Sequence, residues 1–118
     1  MSMVDALREF AMTLPRSTEG VVRGRLRFRV GQIVYVAFSR DETVMGFAHP
    51  REERVALVET DPVKFMLPTG GDLRFNWVLA RLDALDLEEA RELVLDAWLM
   101  VVPKKVALQY LGGAGAAG

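Results

Sequence analysis

The chain has 118 residues, 51% of them hydrophobic and 26% charged, with a formal net charge of −1 and no cysteine. That length fits one domain with a core of its own, and the composition excludes wholesale disorder. Without cysteine there is no disulfide scaffold, thiolate metal site or cysteine nucleophile, and a reducing, cytoplasmic setting is expected. No apolar run approaches the roughly 18 residues of a membrane span, and the start lacks the basic and apolar regions of a secretory signal, so no membrane partner is expected.

The small net charge hides a split. Residues 1–30 carry six arginines against three acids, a local charge of +3. Residues 51–102 carry six bases against eleven acids, a local charge of −5. One basic and one acidic face are expected, not a uniformly basic binder.

Val4, Leu7, Phe10, Ala11 and Leu14 recur at helical spacing, so Met3 to Leu14 is predicted as an amphipathic helix. Ser2 can cap it and Pro15 ends it. From Val21 the period changes to two. Arg23, Arg25, Arg27 and Arg29 alternate with Gly24, Leu26, Phe28 and Val30, which predicts a half-buried strand with Leu26, Phe28 and Val30 inward. Gly31-Gln32 suits a two-residue type II′ turn. Ile33 to Phe38 reads as a central strand, Arg40-Asp41-Glu42 as a turn, and Thr43 to Ala48 as a third strand of a meander.

Pro50 suits the first position of a helix over Arg51–Thr60. Val63 to Leu67 is predicted as a brief strand, and Leu73 to Leu82 as a longer one centred on Trp77, Val78 and Leu79. Asp86 and Glu89 form a variant capping box before a helix whose Leu87, Ala90, Leu93, Val94, Ala97, Trp98 and Val101 repeat at three and four. Pro103 ends it. Residues 107–118 are expected to form a flexible Gly/Ala-rich tail beyond a single domain over 1–106. The expected fold is α+β, a two-layer sandwich with helices on one face of an antiparallel sheet, in the order α-β-β-β-α-β-β-α.

Three stretches then resemble one family. Phe28-Arg29-Val30-Gly31-Gln32-Ile33-Val34-Tyr35 resembles the F-V-G-x-K-x-F hairpin of the MmcQ/YjbR family. Phe75-Asn76-Trp77-Val78-Leu79-Ala80-Arg81-Leu82 is similar to its Asn-Trp-Val strand. Leu93 to Lys105 is similar to its closing helix and A-W-x-x-V-x-P-K ending, and Leu14-Pro15 fits as well. The similarity spans about residues 3–106. Gln32 departs from the family's frequent Lys and removes a positive charge from the hairpin. Arg16-Ser17-Thr18 stands where the family often has Gly and acids. The resemblance implies a small α+β sandwich comparable to secretion-chaperone-like and frataxin-like folds. It also implies the family's "double wing", DNA-binding designation, which rests on fold analogy.

Four arginines at period two would project from one strand face about 6–7 Å apart. Like charges so close need acids or phosphates nearby. A phosphate backbone suits them, since Arg binds phosphate in a bidentate manner. Alternatively Glu19, Asp41, Glu42 or acids of the last helix neutralise the row. The candidate nucleic-acid contacts are Arg23, Arg25, Arg27 and Arg29, aided by Arg16, Lys104 and Lys105. The two lysines could equally serve the negative end of the last helix. His49 is the sole histidine, and one His without a partner is poor chemistry for a transition metal. No serine lies in a nucleophile-elbow context, and the paired acids Asp41-Glu42, Glu52-Glu53 and Glu88-Glu89 suit solvated turns and helix starts. Glu88, Glu89, Glu92 and Asp96 form an acidic helix face, but the first helix offers only Asp5 and Glu9 to complete an iron ridge. Trp98 is assigned to the core, and so is Trp77, which shares a face with Phe75 and Leu79.

The expectation is thus a non-catalytic DNA-binding module with no cofactor and no metal. The alternative is a protein-interaction or chaperone-like adaptor, as a homodimer or with another protein partner.

Overall fold

The first helix, α1 (Met3–Met12), starts where Ser2 and Asp5 bond reciprocally, the Asp5 amide donating to the Ser2 hydroxyl at 3.1 Å and the Ser2 amide to the Asp5 carboxylate at 3.4 Å. Its Val4, Ala6, Leu7 and Ala11 are buried. The computed structural model describes residues 2–116. Four consecutive strands follow: β1 (Ser17–Val22), β2 (Arg25–Val30), β3 (Ile33–Phe38) and β4 (Val44–Ala48). After a 3-10 turn at Arg51–Glu53 come α2 (Arg54–Thr60), the two-residue β5 (Phe65–Met66), a second 3-10 turn at Gly70–Arg74, and β6 (Trp77–Arg81). Two helices, α3 (Leu87–Val101) and α4 (Lys104–Ala116), close the chain. The sheet has six antiparallel strands in the order β1-β2-β3-β4-β6-β5.

The expected α+β architecture is present, with two elements more than the expected order. The first is β1. The arginine alternation was expected to run unbroken from Arg23, but the chain reverses at Arg23-Gly24, with φ of 55° and 76°. Two positive φ values between the paired Val22 and Arg25 make a type I′ hairpin turn, whose twist matches that of its strands. Glycine meets the second of these positions without strain. At Gly31-Gln32 only Gly31 has a positive φ, 58°, as expected there.

The second addition is α4, which occupies residues where a flexible tail was expected from 107; residues 117 and 118 of that stretch lie outside the described ones. Gly112, Gly113 and Gly115 are poor helix formers, so tertiary contact accounts for the start of this helix. Val106 is buried in the core, and the Tyr110 ring meets Trp98 edge-on at 5.0 Å.

The core lies between one sheet face and the helices. Phe28, Val36, Phe38, Met45, Phe47, Val78 and Ala80 point into it from the strands. Leu7, Ala11 and Leu14 meet them from α1 and its exit, and Ala90, Val94, Ala97 and Trp98 from α3. The buried Trp98 donates from Nε1 to the Pro15 carbonyl at 3.0 Å, which ties the α1 exit to the closing helix. Leu57 and Val58 of α2 also pack against this core.

Tyr35 is buried beside Phe28, ring centroids 6.2 Å apart, with its hydroxyl bonded to Ser17. Burial pushes the phenol up to about 12, against the opposing pull of the Ser17 hydrogen bond. A folded-state value above the unfolded one of about 10 favours the neutral phenol in the folded protein. The contribution is therefore complete below about pH 10 and is lost as pH rises through about 12. Urea midpoints measured across that window should fall by an amount equivalent to about 2–3 kcal/mol, and Tyr35→Phe should flatten the fall. Ending the chain at Pro103 should lower stability by about 2 kcal/mol or more, through loss of Val106 and of the Trp98–Tyr110 contact, whereas a free tail would leave the urea midpoint unchanged.

Candidate functional site

Because Phe28 and Val30 are buried, the period of two sends Arg25, Arg27 and Arg29 to the opposite face of β2. That outward face carries none of the helices that cover the core. Arg25 is exposed, while Arg27 and Arg29 are half-buried, their stems laid along the sheet. The Nε atoms of Arg27 and Arg29 are buried with no hydrogen-bond partner among the described residues. Strand register sets their neighbours: Thr18 opposite Arg29, Gly20 opposite Arg27 and Val22 opposite Arg25 on β1, then Val34 and Ala37 on β3. Farther across stand Val44, Gly46 and Ala48 on β4, Trp77, Leu79 and Arg81 on β6, and Met66 on β5. None of these outward positions is acidic.

Three of the acids considered as neutralisers, Glu19, Asp41 and Glu89, are engaged elsewhere. Glu19 points to the helix side and pairs with Arg8 of α1; that hydrogen bond raises the arginine's pKa. Asp41 accepts from Ser39 Oγ and Thr43 Oγ1, each at 2.8 Å, and from the Thr43 amide at 3.1 Å. The Thr43 and Ser39 bonds hold its carboxyl below the usual range. Glu89 takes Lys64 at 2.7 and 2.9 Å. Among the described residues no acid pairs with Arg25, Arg27 or Arg29.

The other sequence-derived candidates do not join this stripe. Arg23 sits in the hairpin turn, exposed, and its carbonyl accepts from Arg40 Nε at 2.8 Å. The expected row of four is therefore a row of three, because the turn takes Arg23 out of the alternation. Arg16, exposed with φ of 62°, lies in the turn that leads into β1. Lys104 and Lys105 are exposed on the helical side of the molecule. They follow α3 but also open α4, whose N-terminal end disfavours cations.

Trp98 is in the core as expected, but Trp77 is not. Its strand buries Val78 and Ala80 and leaves Trp77, Leu79 and Arg81 half-buried on the outward face. The signal was available: Arg81, four residues on and on the same side as Trp77, marks that side as the solvent one. Phe75 precedes the strand and is 53% exposed, with the Arg74 guanidinium 5.1 Å from its ring.

His49 is half-buried against Phe47, ring centroids 6.2 Å apart. Among the described residues no three His, Cys, Asp or Glu side chains are placed to share a metal ion, and no helix is long and apolar enough to cross a membrane. A cavity of about 230 Å³ opens between α1 and the hairpin tips, lined by Val4, Arg8, Leu26 and Arg40 among others. Its two arginines are already committed, Arg8 to Glu19 and Arg40 to the Arg23 carbonyl.

No curated protein matches the chain. Among solved structures it is similar to the crystal structure of protein DR2400 from Deinococcus radiodurans, a DUF419 protein, with a TM-score of 0.74 and 25% identity over 92% of this chain and 87% of that one. The sequence model of the YjbR family matches residues 12–100, a stretch that runs from the α1 exit through the whole sheet into α3. With that match over most of its length, the chain belongs to the YjbR family.

Proposed function

We propose that this protein is a non-catalytic DNA-binding module that contacts phosphates through the outward face of β2. The carrying observation is the acid-free stripe of Arg25, Arg27 and Arg29, two of whose Nε donors have no partner among the described residues. Buried donors without acceptors are costly, and a phosphate oxygen supplies a charged acceptor to the same guanidinium group. Contacts of this kind position a protein on a backbone without reading sequence. Support for the non-catalytic part of the reading is that His49 lies at the end of β4, apart from this stripe, beside Phe47 rather than a nucleophile. Arg16, Arg23, Lys104 and Lys105 stand off the stripe and add only long-range attraction.

Three phosphate contacts give a log–log salt slope of about −3 on duplex DNA. Fluorescence anisotropy with a labelled duplex, titrated from low to physiological salt, measures it. The double variant Arg25→Ala/Arg27→Ala should bind more weakly and flatten the slope by about 2. Absence of binding to both this duplex and a labelled single strand, even at low salt, overturns the reading and leaves the adaptor alternative.

A further inference from the structure

Strand register aligns one continuous row across the outward face: Gly20, Arg27, Ala37, Gly46, Leu79 and Met66, one residue from each of the six strands. Three of these six are Gly or Ala, so the row is a shallow trough, and neighbouring side chains lean into it. Arg29 leans over Gly20, its Nη2 3.7 Å from where a Cβ would stand. Trp77 leans over Gly46 much more closely. A Cβ on Gly46 would lie 2.6 Å from Nε1, 2.7 Å from Cζ2 and 2.8 Å from Cε2 of the indole.

Gly46 has no positive φ, so its backbone is one that any residue adopts. What glycine supplies there is room. A glycine in mid-strand weakens the sheet and marks a close approach. Here the approaching group is the Nε1–Cε2–Cζ2 edge of an aromatic ring, set down on the sheet. The ring meets the sheet by this edge and stays half-buried on the outward face. The ring is also on the side away from the core, where its burial contributes nothing to the sheet–helix packing.

We infer that Trp77, seated on Gly46, is a base-stacking platform, and that the ligand of this face is a single strand of nucleic acid. The inference rests on the phosphate reading of the arginine stripe and specifies its ligand. Arg27 stands two strands from Gly46 in the same row, about 10 Å away. A single strand crossing the sheet brings phosphates to the arginines and an unstacked base to the indole. Aromatic rings, the indole among them, and guanidinium planes are side-chain surfaces on which splayed bases stack. A duplex keeps its bases stacked on each other and offers this ring nothing.

The test uses labelled oligo-dT and oligo-U of about 12 nucleotides, within the range of known single-strand site sizes, and an abasic phosphodiester chain of equal length. Each is titrated against the wild-type chain, Trp77→Ala and Trp77→Phe, with circular dichroism to establish that the variants fold. The expected result is that oligo-dT or oligo-U binds the wild-type protein about tenfold or more tightly than the abasic chain does. Trp77→Ala should erase that advantage while leaving abasic affinity and its salt slope in place, and Trp77→Phe should restore part of it. Quenching of tryptophan emission by the oligonucleotide should vanish in Trp77→Ala, because the remaining Trp98 is buried. Equal, salt-dependent binding of the base-bearing and abasic chains overturns the stacking inference and leaves the phosphate reading standing. So does a base advantage that survives in Trp77→Ala. Absence of binding to every chain at low salt overturns both.

Discussion

Everything on the outward face follows from the fact that this sheet buries only one side. The helices α1, α2 and α3 all pack against the same core, so each strand must sort its side chains by parity. In β2 the sorting is anchored by Phe28, wholly buried against Phe38 at 5.5 Å with the rings near perpendicular. A slip of one residue would send Arg27 and Arg29 into the core and Phe28 into water, which no strand register survives. The arginines are therefore held outward by the hydrophobic effect acting on their neighbours, and their positions cost the protein no dedicated scaffold. The same logic in β6 fixes Trp77 outward, because Val78 and Ala80 are the residues that fit into the core.

Much of this was legible in the sequence, and the failures have particular causes. The inward set of β2, the Gly31-Gln32 turn, the Asp86 cap and the core place of Trp98 all follow from local rules that tertiary packing left intact. The Arg23-Gly24 turn was hidden because the arginine alternation continues through it. The clue was Gly24, a turn residue in the middle of an apparent strand. The face that Trp77 shares with Phe75 and Leu79 suggests a core place for it, while Arg81 on the same side marks that face as the solvent one. The helix α4 escaped because its glycines are unfavourable in a helix and its support comes from Trp98, far away along the local pattern but adjacent in the fold. Exposed acids were harder still. Nothing in the composition shows that Glu19 goes to Arg8 and Glu89 to Lys64, pairings that leave the β2 arginines without acids of their own.

The division of charge along the chain also acquires a spatial meaning. The acids of α3 lie on the helical layer, with Glu88, Glu92 and Asp96 exposed there, while arginine is the one charged residue type at the outward sheet positions. The molecule is polar across its thickness, with a net charge close to zero. Such a distribution favours the approach of a polyanion from the sheet side, an effect on encounter that the net charge conceals.

The register between β2 and β3 shifts between Phe28 and Arg29: Phe28 faces Val36, Arg29 faces Val34, and Tyr35 is the extra residue. A bulge of this kind bends its strand and sharpens the right-handed twist. It lies on β3, between the partners of Arg27 and Arg29, so the added twist falls where these two arginines face their neighbouring strand. The extra residue, a buried tyrosine, thus adds twist to a sheet whose outer surface it never reaches.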